Sequence, residues 1–338
     1  MADQNFSDIG KVEAIASLYE GTPYKPFETT LFEASGREII VSASRTFLEG
    51  IDFDLVYFPL KHLGYKSVVG VTGELYAQMA HPASLSVVLG VSSKLDFSQV
   101  KELWSGIVAG AREHHFKNVS LDLIPSPNGL CISVHAVGEE SILTEKRRPG
   151  PKSKDLICVS GPLGAAYLGM QVLEHEKILF DSGEADHVDR EKSLSKYRML
   201  VAAYLKPELP AEAVSQLESV EIIPSAGLFI SGGLSDAVKK LARKTGLGAK
   251  IYADKIPFEG NSFQFGKERD IDPVSAAMNG GDDFKLLFTI PILSLEKFRR
   301  EFQTFGIIGH LAQADAGTVL VTPDGVELPL RAQGWAEE

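Results

Sequence analysis

The clearest structural signal in the chain is a short segment of its second half, which reads Leu228-Phe-Ile-Ser-Gly-Gly-Leu-Ser-Asp-Ala-Val-Lys-Lys240. An apolar run is followed by two glycines, and then by apolar residues spaced as on one face of a helix. This pattern predicts a buried strand, a tight turn and a helix. At the turn, the N–H groups of Ser231, Gly232 and Gly233 could meet an anion at the helix N-terminus. Alternatively, the turn only connects the two elements, and the segment by itself leaves both interpretations open.

Composition sets the class of protein. The 338 residues are enough for about two domains of roughly 150 residues, and 44% hydrophobic with 23% charged residues is typical of a globular chain. A net charge of −11 argues against general nucleic-acid binding. No apolar run reaches the roughly 20 residues that span a bilayer, and the acidic start is unlike a signal peptide. Cys131 and Cys158 are the only cysteines, so we expect no disulfide framework and a cytoplasmic location.

The order of elements predicts the fold class. Helical and strand-like patterns mix in both halves without strict βαβ repetition, which favours an α+β protein of two domains. The basic, proline-containing stretch Glu145–Asp155 has no periodicity, and we predict the domain boundary there. The predicted domains are residues 1–148 and 149–338. The patch Phe258–Arg269 is predicted to be rich in loops.

Two groups of carboxylates are candidates for ligand chemistry. In Asn279-Gly-Gly-Asp-Asp-Phe284, two glycines precede Asp282 and Asp283 at the start of a strand. These carboxylates could hold Mg²⁺ or a ligand hydroxyl, or could form a solvated turn with a helix cap. Asp122 lies in an apolar strand and needs a partner there. That partner could be a basic side chain, for which Arg45 is the candidate, or a metal ion.

A basic cluster precedes the second half of the chain. It could neutralise a polyphosphate, or it could be the solvated face of a linker, and its members are Lys146, Arg147, Arg148, Lys152 and Lys154. The P-loop pattern is absent from the sequence. The histidine spacing matches no metal-binding signature.

Four stretches of the chain resemble one family. They are Phe53–Lys66, Asp155–Gly169, Ala277–Phe284 and Ala332–Trp335, and they resemble the thiamine-monophosphate kinases in order from about Glu28 to Trp335. The resemblance implies an aminoimidazole ribonucleotide synthetase-like fold, in which N-terminal domains of a homodimer join into a shared β-barrel and the C-terminal domain is an α/β sandwich. It also implies binding of ATP and several Mg²⁺ ions, and transfer of the γ-phosphoryl group to thiamine phosphate.

The resemblance also implies roles for individual residues. Metal ligands would be Glu28, Ser44, Glu74 and Asp122; ATP would be bound by Trp104, Arg148 and Ser231; the substrate would be bound by Asp52, Asp282 and Trp335; catalysis would involve Asp122 and Asp283. The family's multiple metal ions are consistent with phosphoryl transfer, which depends on positioning and charge neutralisation.

The chain departs from the family at several positions, and three of these departures concern carboxylates expected near metal. Arg45, Phe229 and Gly232 stand where the family has carboxylates near metal. If Arg45 lay near Asp122, a fixed monocation would replace a mobile dication. The losses raise an alternative to a working kinase, namely a noncatalytic homologue that binds nucleotide or thiamine phosphate and has a regulatory or scaffolding role. A purely structural dimer is a further alternative.

Overall fold

The computed structural model describes residues 11–24, 36–183 and 194–331. Glu28 and Trp335, two of the predicted ligand-binding residues, therefore lie outside the described part, as does the strand predicted near Glu28–Glu33. The described residues belong to two compact units. Those within 1–76 and 80–143 form the N-terminal unit, and 77–79 with those within 144–338 form the C-terminal unit. The change of unit at 143–144 lies just before the predicted boundary.

The first part of the chain contains a four-stranded sheet in the order β1-β4-β2-β3 among the described residues. Strands β2 and β3 are parallel and the other pairs are antiparallel. The elements are α1 (Lys11–Tyr19), β1 (Glu38–Leu48), α2 (Leu60–Ala77), β2 (His81–Val91), α3 (Phe97–Glu113), β3 (Asn118–Pro125), β4 (Cys131–Ser141) and α4 (Ile142–Arg147). Helix α4 corrects the prediction that the basic stretch is irregular from its first residue.

The two faces of this sheet differ in burial. Because side chains alternate along a strand, β2 places Leu85, Val87 and Leu89 on one face, where all are buried. Its other face carries Ser86 and Val88, which are exposed. The sheet therefore contributes one face to the core and presents the other to solvent.

Helices α2 and α3 approach each other closely because glycines face the partner backbone. A Cβ atom on Gly106 would stand 1.9 Å from the carbonyl oxygen of Lys61, and one on Gly64 would stand 2.1 Å from that of Leu103. Neither distance leaves room for a side chain. The helix pair can form at this separation only with glycine at both positions.

Gly106→Ala should destabilise the protein by roughly 2 kcal/mol or more, because the added methyl group forces two backbones apart. Gly150→Ala is the matched control, since a Cβ there meets nothing within 4 Å. Urea denaturation of both variants measures the effect. Equal midpoints for the two variants would show that the helices separate at little cost.

The second part of the chain contains a seven-stranded mixed sheet. Its order is β11-β10-β7-β9-β5-β8-β6, and helices cover it. The helices are α5 (Ala165–Asp181), α6 (Arg198–Leu205), α7 (Ala213–Ser219), α8 (Leu234–Thr245), α9 (Ser262–Arg269), α10 (Pro273–Asn279) and α11 (Leu295–Glu301). The strands are β5 (Leu156–Val159), β6 (Ala226–Ile230), β7 (Gly248–Tyr252), β8 (Lys285–Ile290), β9 (Gly306–Ala312), β10 (Thr318–Val321) and β11 (Glu327–Pro329).

The strand, turn and helix predicted from the segment Leu228–Lys240 are confirmed as β6 and α8. The prediction of loop at Phe258–Arg269 is wrong from Ser262 onward, where the chain forms α9. Phe265 of this helix is 2% exposed and meets the ring of Tyr197 at 4.9 Å. Tertiary packing therefore stabilises a helix that local periodicity did not indicate. In the described part of the chain, no helix is long and apolar enough to cross a membrane.

Candidate functional site

Three loops of the C-terminal unit meet at one end of its sheet. Strand β5 ends at Val159 and β6 ends at Ile230, whereas β8 lies between them, runs antiparallel to both and begins at Lys285. The start of β8 therefore adjoins the ends of its two neighbours. We call the loops gathered there the strand-end site, which comprises Ser160–Gly164, Ser231–Gly233 and Asn279–Lys285.

Hydrogen bonds join the three loops. The N–H of Asp282 donates to the carbonyl oxygen of Ser231 at 2.8 Å. The N–H of Ser160 donates to the carbonyl oxygen of Leu286 at 3.0 Å, and the N–H of Leu286 donates to Ser160 Oγ at 2.9 Å. Ser231 and Asp282, which are far apart in sequence, are thus brought together by the fold.

The glycine turn before α8 has a steric cause. Gly233 has a φ of 91°, and a Cβ atom there would stand 2.6 Å from the carbonyl oxygen of Met278. Only glycine combines this backbone conformation with this approach. The turn is consequently required by packing, and its role as an anion cradle stays a prediction.

The second turn of the site is strained. Asp282 and Phe284 have φ values of 59° and 50°, in the left-handed region, and Gly281 has 79°. Each non-glycine residue in this region costs roughly 1 kcal/mol or more, and such strain concentrates at ligand sites. Asp282 is half-buried. The strain supports the prediction that Asp282 contacts a ligand.

Asp283 holds the turn onto the next helix. Its side chain is buried, Oδ2 accepts from the N–H of Gly164 at 2.7 Å, and Oδ1 accepts from that of Ala166 at 3.2 Å. Burial raises the pKa of this carboxyl to about 7, against the two N–H donors and the charge of Lys285, which lower it. These contacts give Asp283 a positioning role at the N-terminus of α5. Its predicted part in catalysis stays a prediction.

The raised pKa of Asp283 has a consequence for stability. In the unfolded chain this carboxyl releases its proton near its usual pKa of 3.8, and in the folded chain near a pKa of about 7. Its contribution to stability is therefore lost as pH rises between these two values. In Asp283→Asn this titration is absent. Urea denaturation of both proteins at pH 5 and pH 7.5 measures the effect. Between these pH values, the free energy of unfolding of wild type should fall, relative to that of the variant, by on the order of 1 kcal/mol or more. An unchanged gap between the two proteins would contradict the raised pKa.

Phe229 and Gly232 stand at two positions where the resemblance implies carboxylates near metal. The contacts around each position show what occupies the space instead. Phe229 is 3% exposed, and its ring lies 5.4 Å from that of Phe284, so this position belongs to the core. Gly232 has no side chain, but Asp236 Oδ2 lies 3.2 Å from the place a Cβ there would take. Asp236 also pairs with Lys240, with 2.6 Å between Oδ2 and Nζ. Sequence reasoning missed Asp236; its place one helical turn beyond Gly232 was the available signal.

In the N-terminal unit, Asp122 lies on the face of the sheet that is exposed within one chain. In the strand register, Val88 lies opposite Asp122 on one side and opposite Ser133 on the other, and Ser133 lies opposite Thr46. Asp122 therefore shares the solvent-facing side with these residues, and its side chain is exposed. Ser44 lies on the same face. The prediction that Asp122 binds metal stays a prediction.

The proposed pairing of Arg45 with Asp122 is wrong within one chain. Arg45 is one residue from Thr46 in β1, so its side chain points to the opposite face from Asp122. Strands β1 and β3 are separated by two others, which puts the residues roughly 14 Å apart. The Arg45 guanidinium instead lies 5.0 Å from the centre of the Phe47 ring.

The other predicted residues of the N-terminal unit lie in separate elements. Glu74 is half-buried on α2. Asp52 Oδ2 accepts from the N–H of Leu48 at 2.8 Å. Trp104 is 2% exposed, and its ring centre lies 5.1 Å from that of Tyr19. The ligand roles of these residues stay predictions.

Arg148, predicted to bind ATP, is engaged by the C-terminal unit itself. Its Nε donates to Glu145 Oε2 at 2.6 Å, Nη1 donates to the carbonyl oxygen of Pro224 at 3.3 Å, and Nη2 donates to that of Gln78 at 3.2 Å. All three nitrogens thus contact protein. Arg148 anchors the start of this unit, and its role toward ATP stays a prediction.

The described residues that the resemblance implies as metal ligands lie in separate elements of one chain. Among residues 11–24, 36–183 and 194–331, no group of three or more His, Cys, Asp or Glu could hold a metal ion. Ser44 and Asp122 lie on opposite edge strands, and Glu74 lies on a helix. The Mg²⁺ set implied by the resemblance is therefore not gathered here, although Glu28 lies outside the described part.

Comparison of the sequence with known proteins gives one consistent result. Residues 29–139 match the model of the AIR synthase related protein, N-terminal domain. The thiamine-monophosphate kinase of Synechococcus elongatus is 26% identical over 293 residues, covering 86% of this chain and 84% of the relative. That of Aquifex aeolicus is 25% identical, covering 72% and 73%.

Solved structures agree on the fold. A thiamine monophosphate kinase of Aquifex aeolicus matches with a TM-score of 0.69 at 22% identity, covering 86% of this chain and 89% of that chain. A structure described as AaThiL complexed with AMPPCP and TMP matches with a TM-score of 0.69 at 20% identity, covering 97% of each chain. Escherichia coli HypE, a hydrogenase maturation protein, matches with a TM-score of 0.71 at 14% identity, covering 96% of each chain. Proteins of different function thus share this two-domain fold, so the fold does not identify the function.

Proposed function

Because the chain is a divergent relative of the thiamine-monophosphate kinases, we propose that it binds ATP and thiamine phosphate and transfers the γ-phosphoryl group to give thiamine diphosphate. The observation that carries the proposal is the strand-end site. It brings Ser231, Asp282 and Asp283 together from stretches that are distant in sequence. The relatives that match most of the chain are thiamine-monophosphate kinases.

The residues of the site have distinct parts in this proposal. Phosphoryl transfer depends on positioning and on neutralising charge. Asp282, held in a strained turn, contacts thiamine phosphate, and Ser231 with the N–H groups after it contacts a phosphate of ATP. Asp283 holds the Ser160–Gly164 turn through the N–H groups of Gly164 and Ala166. Mg²⁺, when bound, would neutralise phosphate charge. Ser44, Glu74 and Asp122 are the described residues that the resemblance implies as its ligands, and no step is assigned to it.

A second candidate is a noncatalytic homologue that binds nucleotide or thiamine phosphate and regulates or scaffolds a partner. It is favoured by Phe229, which is packed into the core at a position where the resemblance implies a metal ligand. The loss of one ligand from a catalytic metal site commonly costs orders of magnitude in rate. The two candidates predict the same ligand binding, but only the kinase predicts turnover.

Purified protein mixed with Mg-ATP and thiamine phosphate should form thiamine diphosphate, and chromatography measures this product. Asp282→Ala should lower kcat/KM by roughly 100-fold or more, because a ligand contact is lost from the strained turn. Asp254→Ala, an exposed carboxylate paired with Lys255 at 3.2 Å, is the matched control. A rise in Tm with ATP but no product would favour the noncatalytic candidate. If the protein neither forms product nor binds ATP, both candidates are eliminated.

We also propose a homodimer formed through the solvent-facing side of the N-terminal sheet. That face carries exposed apolar side chains, whose exposed fractions are 47% for Ile40, 40% for Leu48, 36% for Val88 and 46% for Ile124. Leu48 and Ile124 lie in one row across the sheet, and Val88 lies in the next row. Exposed apolar side chains grouped in this way are typical of an interaction site. A second copy would cover these side chains and close the open sheet into the shared barrel that the resemblance implies.

Val88→Glu should shift the protein to a monomer, because it places a charge within this face. Sedimentation velocity on wild type and variant measures the change. Leu293→Glu is the control, since Leu293 is 96% exposed in the C-terminal unit. A wild-type monomer, or a Val88→Glu dimer of wild-type affinity, would exclude this face as the interface.

A further inference from the structure

A segment of the C-terminal unit lies beside the strand-end site. We call it the aromatic segment, and it comprises Pro257–Phe263, up to the first turn of α9. The N–H of Leu163 donates to the carbonyl oxygen of Pro257 at 2.9 Å, and the next N–H along the chain, that of Gly164, donates to Asp283 Oδ2 at 2.7 Å. Two consecutive N–H groups therefore hold the aromatic segment and the aspartate turn next to each other.

The aromatic segment carries one phenylalanine ring at the surface. Phe263 is 56% exposed, and its ring lies edge-on to that of Phe258, with 5.0 Å between the ring centres. Phe258 is half-buried and packs against the core cluster that contains Leu163. Successive residues of a helix differ in direction by about 100°, so Phe265 anchors α9 in the core while Phe263 faces away from it. The Phe263 ring is therefore placed beside the site and can contact a ligand.

Carboxylates outnumber ammonium groups at this end of the sheet. Lys285, the last residue of the strand-end site, is a lysine among acids. Burial lowers the pKa of its ammonium group, and the charges of Asp283, Glu208 and Glu259 raise it. Glu259 belongs to the aromatic segment and is half-buried. A region with this balance of charge favours a positively charged ligand.

We infer that the aromatic segment recognises the cationic ring of the substrate, with Phe263 against the ring and Glu259 supplying the opposite charge. The face of a phenylalanine ring attracts a cation, and thiamine phosphate carries a positive charge on its thiazolium ring. The inference deepens the proposed function and rests on it for the identity of the ligand. It makes Phe263 and Glu259 specificity-determining residues, which select a cationic ring and take no part in handling the phosphate.

The first test measures binding of thiamine alone by isothermal titration calorimetry, so that no phosphoryl transfer is involved. Phe263→Ala should weaken the affinity roughly 3- to 30-fold, because the contact between cation and ring is lost, whereas Phe263→Tyr should retain it. Phe180→Ala is the matched control, since Phe180 is 58% exposed and lies at the opposite end of α5 from Gly164. Equal affinities for wild type and Phe263→Ala, or no binding by wild type, would overturn the inference.

This result is separable from that of the kinase assay. Thiamine binding that depends on Phe263, without formation of thiamine diphosphate, would count against the kinase reaction only. Formation of thiamine diphosphate with an unchanged KM for thiamine phosphate in Phe263→Ala would count against this inference only. Because Phe263 lies at the surface, the variant should unfold at the urea concentration of wild type, which distinguishes a lost contact from a lost fold.

The second test concerns the charge. Glu259→Gln should weaken thiamine binding several-fold and make the affinity less dependent on salt, because salt screens the attraction between charges. Asp324→Asn is the matched control, since Asp324 is exposed in the turn between β10 and β11. A Glu259→Gln protein with the affinity and the salt dependence of wild type would overturn the role assigned to Glu259.

Discussion

The strand-end site depends on one buried carboxylate. Asp283 accepts the N–H groups of Gly164 and Ala166, and so ties the start of β8 to the start of α5. Since the group is removed from water, these two bonds must be present or the buried oxygens would be left unsatisfied. The left-handed residues on either side, Asp282 and Phe284, are the local cost of bringing this carboxylate to the helix.

The side chains at two positions where the resemblance implies metal ligands distinguish this chain from the family. Phe229 packs against Phe284 in the core. Gly232 has no side chain, and the neighbouring Asp236 is ion-paired with Lys240. The fold is shared with solved structures of a thiamine monophosphate kinase and of HypE, and function resides in the site residues that such a fold carries.

Local sequence patterns predicted the secondary-structure elements more accurately than the surroundings of individual side chains. The segment Leu228–Lys240 was predicted as strand, turn and helix, and β6 and α8 confirm it. Helix α9 was missed because its stability comes from Phe265 packing on Tyr197, which no short window contains. The exposure of Asp122 was not predictable from its apolar strand for a related reason. An apolar neighbourhood in sequence says nothing about which face of a sheet meets solvent.

The sequence by itself determined the α+β class, the glycine turn at Gly233 and the family resemblance, because these depend on residue order and local conformational preference. Tertiary structure alone decided which charges meet. Register separated Arg45 from Asp122 by two strands and by a face of the sheet. Strand order brought Ser231 to Asp282, and the helix brought Asp236 to the space beside Gly232. Coulomb interactions and hydrogen bonds act over a few ångströms in space, and only the folded chain sets those distances.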